Sequence, residues 1–332
     1  MGFLQPPAPR VSIVIPVYQG EDFILKAVRS VSSQSCPDIE IIVVNDNSTD
    51  NTRRLLGEYA KQEPRLHLID LDKNVGAHLA RASGVMAAKA MVLGFLDADD
   101  WFHQDAIKRM LHALEFDSAD TVICGIQFSS REGELGQHKL KFAHEEAVDS
   151  EILRRFCDLS FGTGSLCNKL YRREVLEPFI SHDFGETVAI NEDYIVNFGV
   201  FSVAKRVCLL PDSLYYYRQH SLSVTASPLS AKAFAGMLRA YVLCLETYSG
   251  LGHSAREQID ILYARQLRFE CYRVSSPIEL EEFSEHLAES LKRLADIHPT
   301  AIYKLIHLFE IPYASPRNKF DFKRLLRGFR RA

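Results

Sequence analysis

Three carboxylates fall within four positions where the chain reads FLDADDW, at Asp97, Asp99 and Asp100. Two carboxylates about 5 Å apart repel by roughly 3 kcal/mol at an effective dielectric of 20. Clustering them costs stability unless something positive lies among them. A loop entering a helix accounts for one or two, because exposed backbone amides there attract negative charge. The other reading is a divalent cation. Oxygen-rich sites suit Mg²⁺ or Mn²⁺, and Mg²⁺ is commonly held by one or two carboxylates together with substrate phosphates.

The choice between these depends on the elements that carry the three aspartates. VSIVIPVY (11–18) is a short β-branched run, after which Ile24, Ala27, Val28 and Val31 recur at helical spacing. IEIIVV (39–44) reads as a second buried strand, closed by the turn and helix start of NDNSTD (45–50). LHLI (66–69), MVLGFL (91–96) and DTVICGI (120–126) continue the series, with helical segments near 76–90 and 104–116. Strands alternating with helices predict an α/β fold, an open and largely parallel sheet with helices on both faces. Ligands of such sheets bind beyond the carboxyl ends of the strands. Pro16, Val17, Tyr18, Asp46 and the three aspartates all lie at those ends, so they are expected on one rim. A cation held there would neutralise a diphosphate leaving group, which points to a nucleotide diphosphate donor if the same rim recognises a base.

The segment 129–139, SSREGELGQHK, reads as a hairpin or loop, and strand signals stop after Pro228. Helical periodicity then runs near 229–248, 254–274, 279–297 and 300–309. The net charge of −4 argues against a nucleic-acid partner, which calls for a basic excess. Seven cysteines, odd in number and without a C-x-x-C pair, indicate buried thiols rather than zinc or a disulfide framework. MGFLQPPAPR has no secretory pattern, and Pro6 stands where a myristoylation motif needs Ser or Thr. A cytoplasmic location is expected, with peripheral association to the inner face of the plasma membrane as the alternative. Rossmann G-x-G-x-x-G, P-loop, G-x-S-x-G and H-E-x-x-H signatures are absent, which disfavours dehydrogenase, P-loop ATPase, serine hydrolase and zinc protease.

VSIVIPVYQG, IIVVNDNSTDNT, KNVGAHLARASG, FLDADDW, NKLYRREVL and NEDYIVNF occur in order across residues 11–225. In this the chain resembles the family 2 inverting glycosyltransferases of GT-A fold, bacterial surface-polysaccharide type. The resemblance implies a GT-A domain over 9–226 and a helical C-terminal region over 227–332. It also implies a UDP-sugar donor, Mn²⁺ or Mg²⁺, and a glycan or lipid-linked acceptor in capsule, lipopolysaccharide or related synthesis. Carried over by position, Pro16, Val17 and Tyr18 line the base pocket, and Asp46 accepts a hydrogen bond from uracil. Asn74, Gly76 and Arg81 match the segment beneath the nucleotide. Asp97 contributes to nucleotide binding, Asp99 is the main metal contact with Asp97 and Asp100 in support, and Asp193 is the catalytic base with Glu192 orienting the acceptor. His220 and Arg218 would reach the metal or the diphosphate.

Each residue also has a plainer reading. Asp46 is a turn aspartate capping the next helix, Arg81 a surface helix residue, Asp193 a helix N-terminal acid, and His220 a surface histidine. Asn47 replaces a commoner glycine in a turn that tolerates φ > 0, and Gln19 carries no evident role. A sugar-nucleotidyltransferase would also place carboxylates on an α/β rim, but its Gly-rich basic loop after the first strand is missing. A non-catalytic UDP-binding scaffold is the third reading. The tail NKFDFKRLLRGFRRA (318–332) sets Phe322, Leu325, Leu326 and Phe329 on one side and basic residues on the others. That pattern suits an anionic membrane surface or a helix packed on the domain.

Overall fold

The computed structural model describes residues 8–185, 190–220, 231–271 and 284–301. The basic tail lies outside them. Backbone contacts divide the chain into two units. The first holds residues 8–156, 161–185 and 196–220, and the second holds 157–160, 190–195, 231–271 and 284–301.

The first unit is built on β1 (Val11–Val17), α1 (Ile24–Ser32), β2 (Ile39–Asn45), α2 (Thr52–Ala60), β3 (Leu66–Asp70), α3 (Ala77–Ala87) and β4 (Val92–Phe95). Strands β3, β2, β1 and β4 pair in parallel in that order. Because β2 is hydrogen-bonded along both edges and covered on both faces, every residue of IEIIVVN is buried, which is why it reads as an unbroken apolar run. Helix α1 buries Ile24, Ala27, Val28 and Val31, the predicted stripe. Helix α3 lies close on the sheet because Gly84 has no side chain. A Cβ there would stand 2.4 Å from Val14 and 3.2 Å from Val44.

The remaining strands extend the same sheet. They are β5 (Trp101–Phe102), β6 (Thr121–Ser129), β7 (Leu135–Leu140), β8 (Glu146–Val148), β9 (Lys169–Arg172) and β10 (Val207–Arg218). Strand β9 is antiparallel to β4 and β6, while β10 runs parallel to β6. The carboxyl ends of β1, β2, β4, β6 and β10 therefore share one side of the sheet. Strand β10 passes through Pro211 with register shifts between Leu209 and Tyr215, so a single strand spans a stretch interrupted by PDS. The polar segment 129–139 turns at Ser130–Glu134 and returns as β7. Helices α4 (Ala106–Phe116), α5 (Ile152–Cys157) and α6 (Arg173–Ile180) fill the connections.

Among the described residues, α8 (Ala231–Thr247), α9 (Gly252–Cys271) and α10 (Ser284–Ile297) of the second unit match three of the expected C-terminal segments, while residues 302–309 of the fourth lie outside the described residues. A buried polar group ties them together. The Tyr241 hydroxyl donates to Asp260 (2.6 Å), and His298 Nε2 lies 3.0 Å from the other carboxylate oxygen. Helix α7 (Glu192–Val203) begins in this unit and continues into the first. Among the described residues, no helix is long and apolar enough to cross a membrane. Among the described side chains, six cysteines from Cys36 to Cys244 are buried and form no disulfide.

Candidate active site

The acidic turn begins where β4 ends. The backbone N–H of Leu96 still bonds Val14 in β1 (3.1 Å), and a tight turn follows in which the Asp100 N–H donates to the Asp97 carbonyl (3.1 Å). The chain then enters β5, which pairs antiparallel with Tyr215 and Tyr216 of β10. The turn is thus pinned at both ends to sheet strands, and each of its carboxylates meets a different partner.

Asp97 is partly exposed and accepts a hydrogen bond from Arg81 Nη2 at 2.9 Å. Arg81 is buried on α3, so its plainer reading as a surface helix residue does not hold. The Asp99 side chain is 34% exposed, and its Oδ2 lies 2.8 Å from Nε2 of His220, whose own side chain is 6% exposed. His220 is therefore not a surface histidine. Its Nδ1 is buried without a hydrogen-bond partner, so the ring is held by the pairing of Nε2 with Asp99 and by the Phe23 ring, 4.6 Å away between centroids. Burial pushes the Asp99 carboxyl above the usual carboxylate range and neighbouring Asp97 adds to the rise, with the His220 contact opposing both.

Asp100 departs from the expected metal set. It is 1% exposed, and both its oxygens are engaged: the Tyr215 hydroxyl donates to Oδ2 (2.5 Å) and the Arg218 backbone N–H to Oδ1 (2.8 Å). Burial first, then Asp99 and Asp97, drive its carboxyl well above the usual range. Asp100 fastens the acidic turn to β10 and is closed to an ion. Asp99 brings an accessible carboxylate and His220 an imidazole nitrogen aimed at it. Both are ligand types for first-row divalent ions.

At the ends of β1 and β2, Tyr18 is 53% exposed, Val17 is buried and Pro16 lies between these extremes. Asp46 is buried, and its two oxygens accept the backbone N–H groups of Val75 (2.7 Å) and Gly76 (2.9 Å). It therefore caps α3 rather than the next helix, supplying negative charge at an N-terminus that has no capping side chain of its own. Each oxygen keeps a lone pair for a further donor. Gly76 has φ +88°, which glycine adopts without strain, and Asn74 beside it is exposed. Asp46→Asn presents an amide to one of the two N–H groups, so stability is expected to fall by about 1–3 kcal/mol. Urea denaturation measures this, and an unchanged midpoint would mean the 74–76 turn is held by other bonds.

Gln19, without an evident role in the sequence, has one in the fold. It adopts φ +54°, its Oε1 accepts from the N–H groups of Thr49 (3.3 Å) and Asp50 (3.1 Å), and its Nε2 donates to the Thr49 hydroxyl (2.8 Å). The residue thus clamps the NDNSTD turn, in which Asn47 takes the expected positive φ of +59°. Arg218 is buried at the end of β10 with its guanidinium between the Phe23 and Trp101 rings. In the second unit, Glu192 and Asp193 are the first two residues of α7, both partly exposed, directly after Asn191 at φ +66°.

Comparison with known proteins gives this geometry a context. The profile of glycosyl transferase family 2 matches residues 12–179. Over 297 residues, 82% of either chain, the sequence is 29% identical to the uncharacterized glycosyltransferase EpsJ of Bacillus subtilis. It is 35% identical over 125 residues to TuaG, a putative teichuronic acid biosynthesis glycosyltransferase of the same organism, covering 38% of this chain and 50% of TuaG. Among solved structures, residues 1–349 of S. aureus TarS in complex with UDP-GlcNAc superpose with a TM-score of 0.64 at 18% identity, over 89% of this chain and 83% of that one. The sheet order and flanking helices are those of the GT-A fold.

Proposed function

This chain belongs to glycosyl transferase family 2, and for this glycosyltransferase we propose metal-dependent, inverting transfer from a UDP-sugar to a hydroxyl. The group moved is a hexosyl or N-acetylhexosaminyl unit, and the acceptor is a glycan or a lipid-linked glycan of a bacterial surface polysaccharide. The observation that carries the reading is the acidic turn itself: Asp97 held by buried Arg81, and Asp99 left accessible opposite the His220 ring. A relative named as a putative teichuronic acid biosynthesis glycosyltransferase and a structural neighbour in complex with UDP-GlcNAc support the substrate class.

In this reading Tyr18 stacks on uracil, with Pro16 and Val17 beside it. Asp46 accepts the base imide N–H while holding the 74–76 turn beneath the nucleotide. Arg81 holds Asp97 oriented toward the ribose. Asp99 and His220 would hold the divalent ion, which when bound neutralises charge on the leaving diphosphate. Asp193 takes the proton of the acceptor hydroxyl as that oxygen attacks the anomeric carbon from the face opposite the diphosphate, and Glu192 orients the acceptor. One attack with inversion needs no covalent enzyme intermediate.

A UDP-release assay over a panel of sugar nucleotides, with Mn²⁺ or Mg²⁺ and then with EDTA, tests the reading. One donor should stand out, and only with metal. Release of pyrophosphate instead, or no release from any donor, would overturn it. For the tail we take the membrane reading: deletion of 318–332 is expected to abolish co-sedimentation with anionic vesicles while sparing donor hydrolysis. Undiminished co-sedimentation would refute that part alone.

A further inference from the structure

Glu192 and Asp193 open α7, and the segment that carries them, 190–195, belongs to the second unit together with the C-terminal helices. The residue before them, Asn191, has φ +66°, so the chain enters α7 through a left-handed residue that cannot itself continue the helix. The N–H groups of Tyr194 and Ile195 both return to the Asn191 carbonyl, at 3.1 and 3.4 Å. Such first-turn groups are the ones that a helix leaves to outside partners. A general base on this turn needs its position fixed, because a displacement of about 1 Å can cost ~10²-fold in rate.

Side chains of the C-terminal helices reach this turn. Tyr248 follows α8 directly, its N–H still bonded to the Cys244 carbonyl at 3.1 Å. Its hydroxyl donates to the Ile195 carbonyl at 2.7 Å, and both residues are buried. A carbonyl has a second lone pair, so this bond adds to the helix without competing with it. Gln266 of α9 donates from Nε2 to the Tyr194 hydroxyl at 3.0 Å. Gly236 brings α8 against Ile190, where an added Cβ would stand 3.5 Å from the isoleucine side chain. The contacts thus fall on 190, 194 and 195, on both sides of Glu192 and Asp193, which stay partly exposed. A buried tyrosine hydroxyl needs a partner, but that need alone does not bring α8, α9 and Tyr248 together on one turn.

We propose that Tyr248 and Gln266 are positioning residues for Asp193, so that the C-terminal helices take part in the transfer by holding its base. The inference rests on the reading of Asp193 as that base. Neither residue touches the reacting atoms. Each acts through the backbone or side chain of a neighbour of Asp193, and what they fix is the direction from which the carboxylate meets the acceptor hydroxyl.

The test uses the full chain in Mn²⁺ and the sugar nucleotide that stands out in the panel. UDP release with water as the acceptor reads the attack, since water must lose a proton as an acceptor hydroxyl does, and calorimetry with UDP reads the donor side. Tyr248→Phe combined with Gln266→Met keeps the bulk of both side chains and removes their polar groups. This pair should lower kcat by about ten- to a hundredfold and leave the UDP Kd close to wild type. In the Asp193→Asn background the same two changes should cost almost nothing more, because residues that act through one group are not additive. Hydrogen exchange over 190–195 should quicken in the pair variant while the first unit's strands keep their protection, and melting curves check the fold. An equal loss of kcat in both backgrounds, a UDP Kd that weakens in step with kcat, or unchanged exchange over 190–195 overturns the proposal. If Asp193→Asn itself keeps wild-type turnover, the base reading fails and this inference with it. If Asp193→Asn loses turnover and the pair variant keeps it, the inference alone fails.

Discussion

Asp193→Asn is expected to lower kcat by ~10²- to 10⁴-fold, or about 3–5 kcal/mol of barrier, while the donor Kd stays close to wild type. An acceptor hydroxyl is a poor nucleophile near neutral pH, so a carboxylate must take its proton as the bond to the anomeric carbon forms. Asparagine keeps the size of Asp193 and can hydrogen-bond the hydroxyl, but it cannot accept the proton. The structure supplies a competing explanation for an acid at this place, since Asp193 stands in the first turn of α7, where negative charge stabilises the helix. That role is worth only about 0.3–1 kcal/mol. It would appear as a small loss of stability with turnover retained. Near-wild-type kcat on a true acceptor would therefore assign Asp193 to the helix and move the base elsewhere, with Glu192 the next residue to test.

Asp99→Asn is expected to weaken binding of the UDP-sugar in Mn²⁺ by about an order of magnitude or more, because a ligand charge is lost where the diphosphate is neutralised. In EDTA the variant and wild type should converge. The contrast with Asp100 sharpens the test. Asp100 bonds Tyr215 and the Arg218 backbone rather than facing an ion, so Asp100→Asn should act on stability first and leave the metal-dependent increment in affinity in place. Equal donor affinity of wild type and Asp99→Asn in both conditions would remove the metal from the mechanism.

The parts of this fold that could be read in advance are those whose burial leaves a local trace. β1, β2 and β4 are enclosed on both faces, so they appear as apolar runs. α1 shows its stripe because its partners lie on one side only. The positions of Asp46 and the acidic turn followed, since strand ends are where such a sheet binds ligands. The division of labour within DADD did not follow. Asp99 and Asp100 are adjacent and chemically identical, and what separates them is β10, which lies more than a hundred positions away and encloses only one of them. That strand was itself hidden, because Pro211 and Asp212 interrupt its apolar pattern and only a register shift carries it through. β5, two residues long, has no periodicity to detect, yet its pairing with Tyr215 and Tyr216 fixes the turn. The role of Gln19 was not legible for a different reason: it lies in bonds to backbone groups of residues 49 and 50 that leave no mark on composition.

The attachment of the acidic turn to β10 also bears on the order in which a newly made chain acquires its parts. The Asp97–Arg81 bond closes a separation of 16 residues, whereas the bonds of Asp100 to Tyr215 and Arg218 and of Asp99 to His220 close 115, 118 and 121. Closing longer loops costs more entropy and delays contact formation. During synthesis the half of the rim made by α3 and β4 can assemble from the first hundred residues, while Asp99 and Asp100 wait, mutually repelling, until β10 has left the ribosome. A truncated or stalled chain would carry the α3–β4 half of the rim with Asp99 and Asp100 still without their partners on and beyond β10.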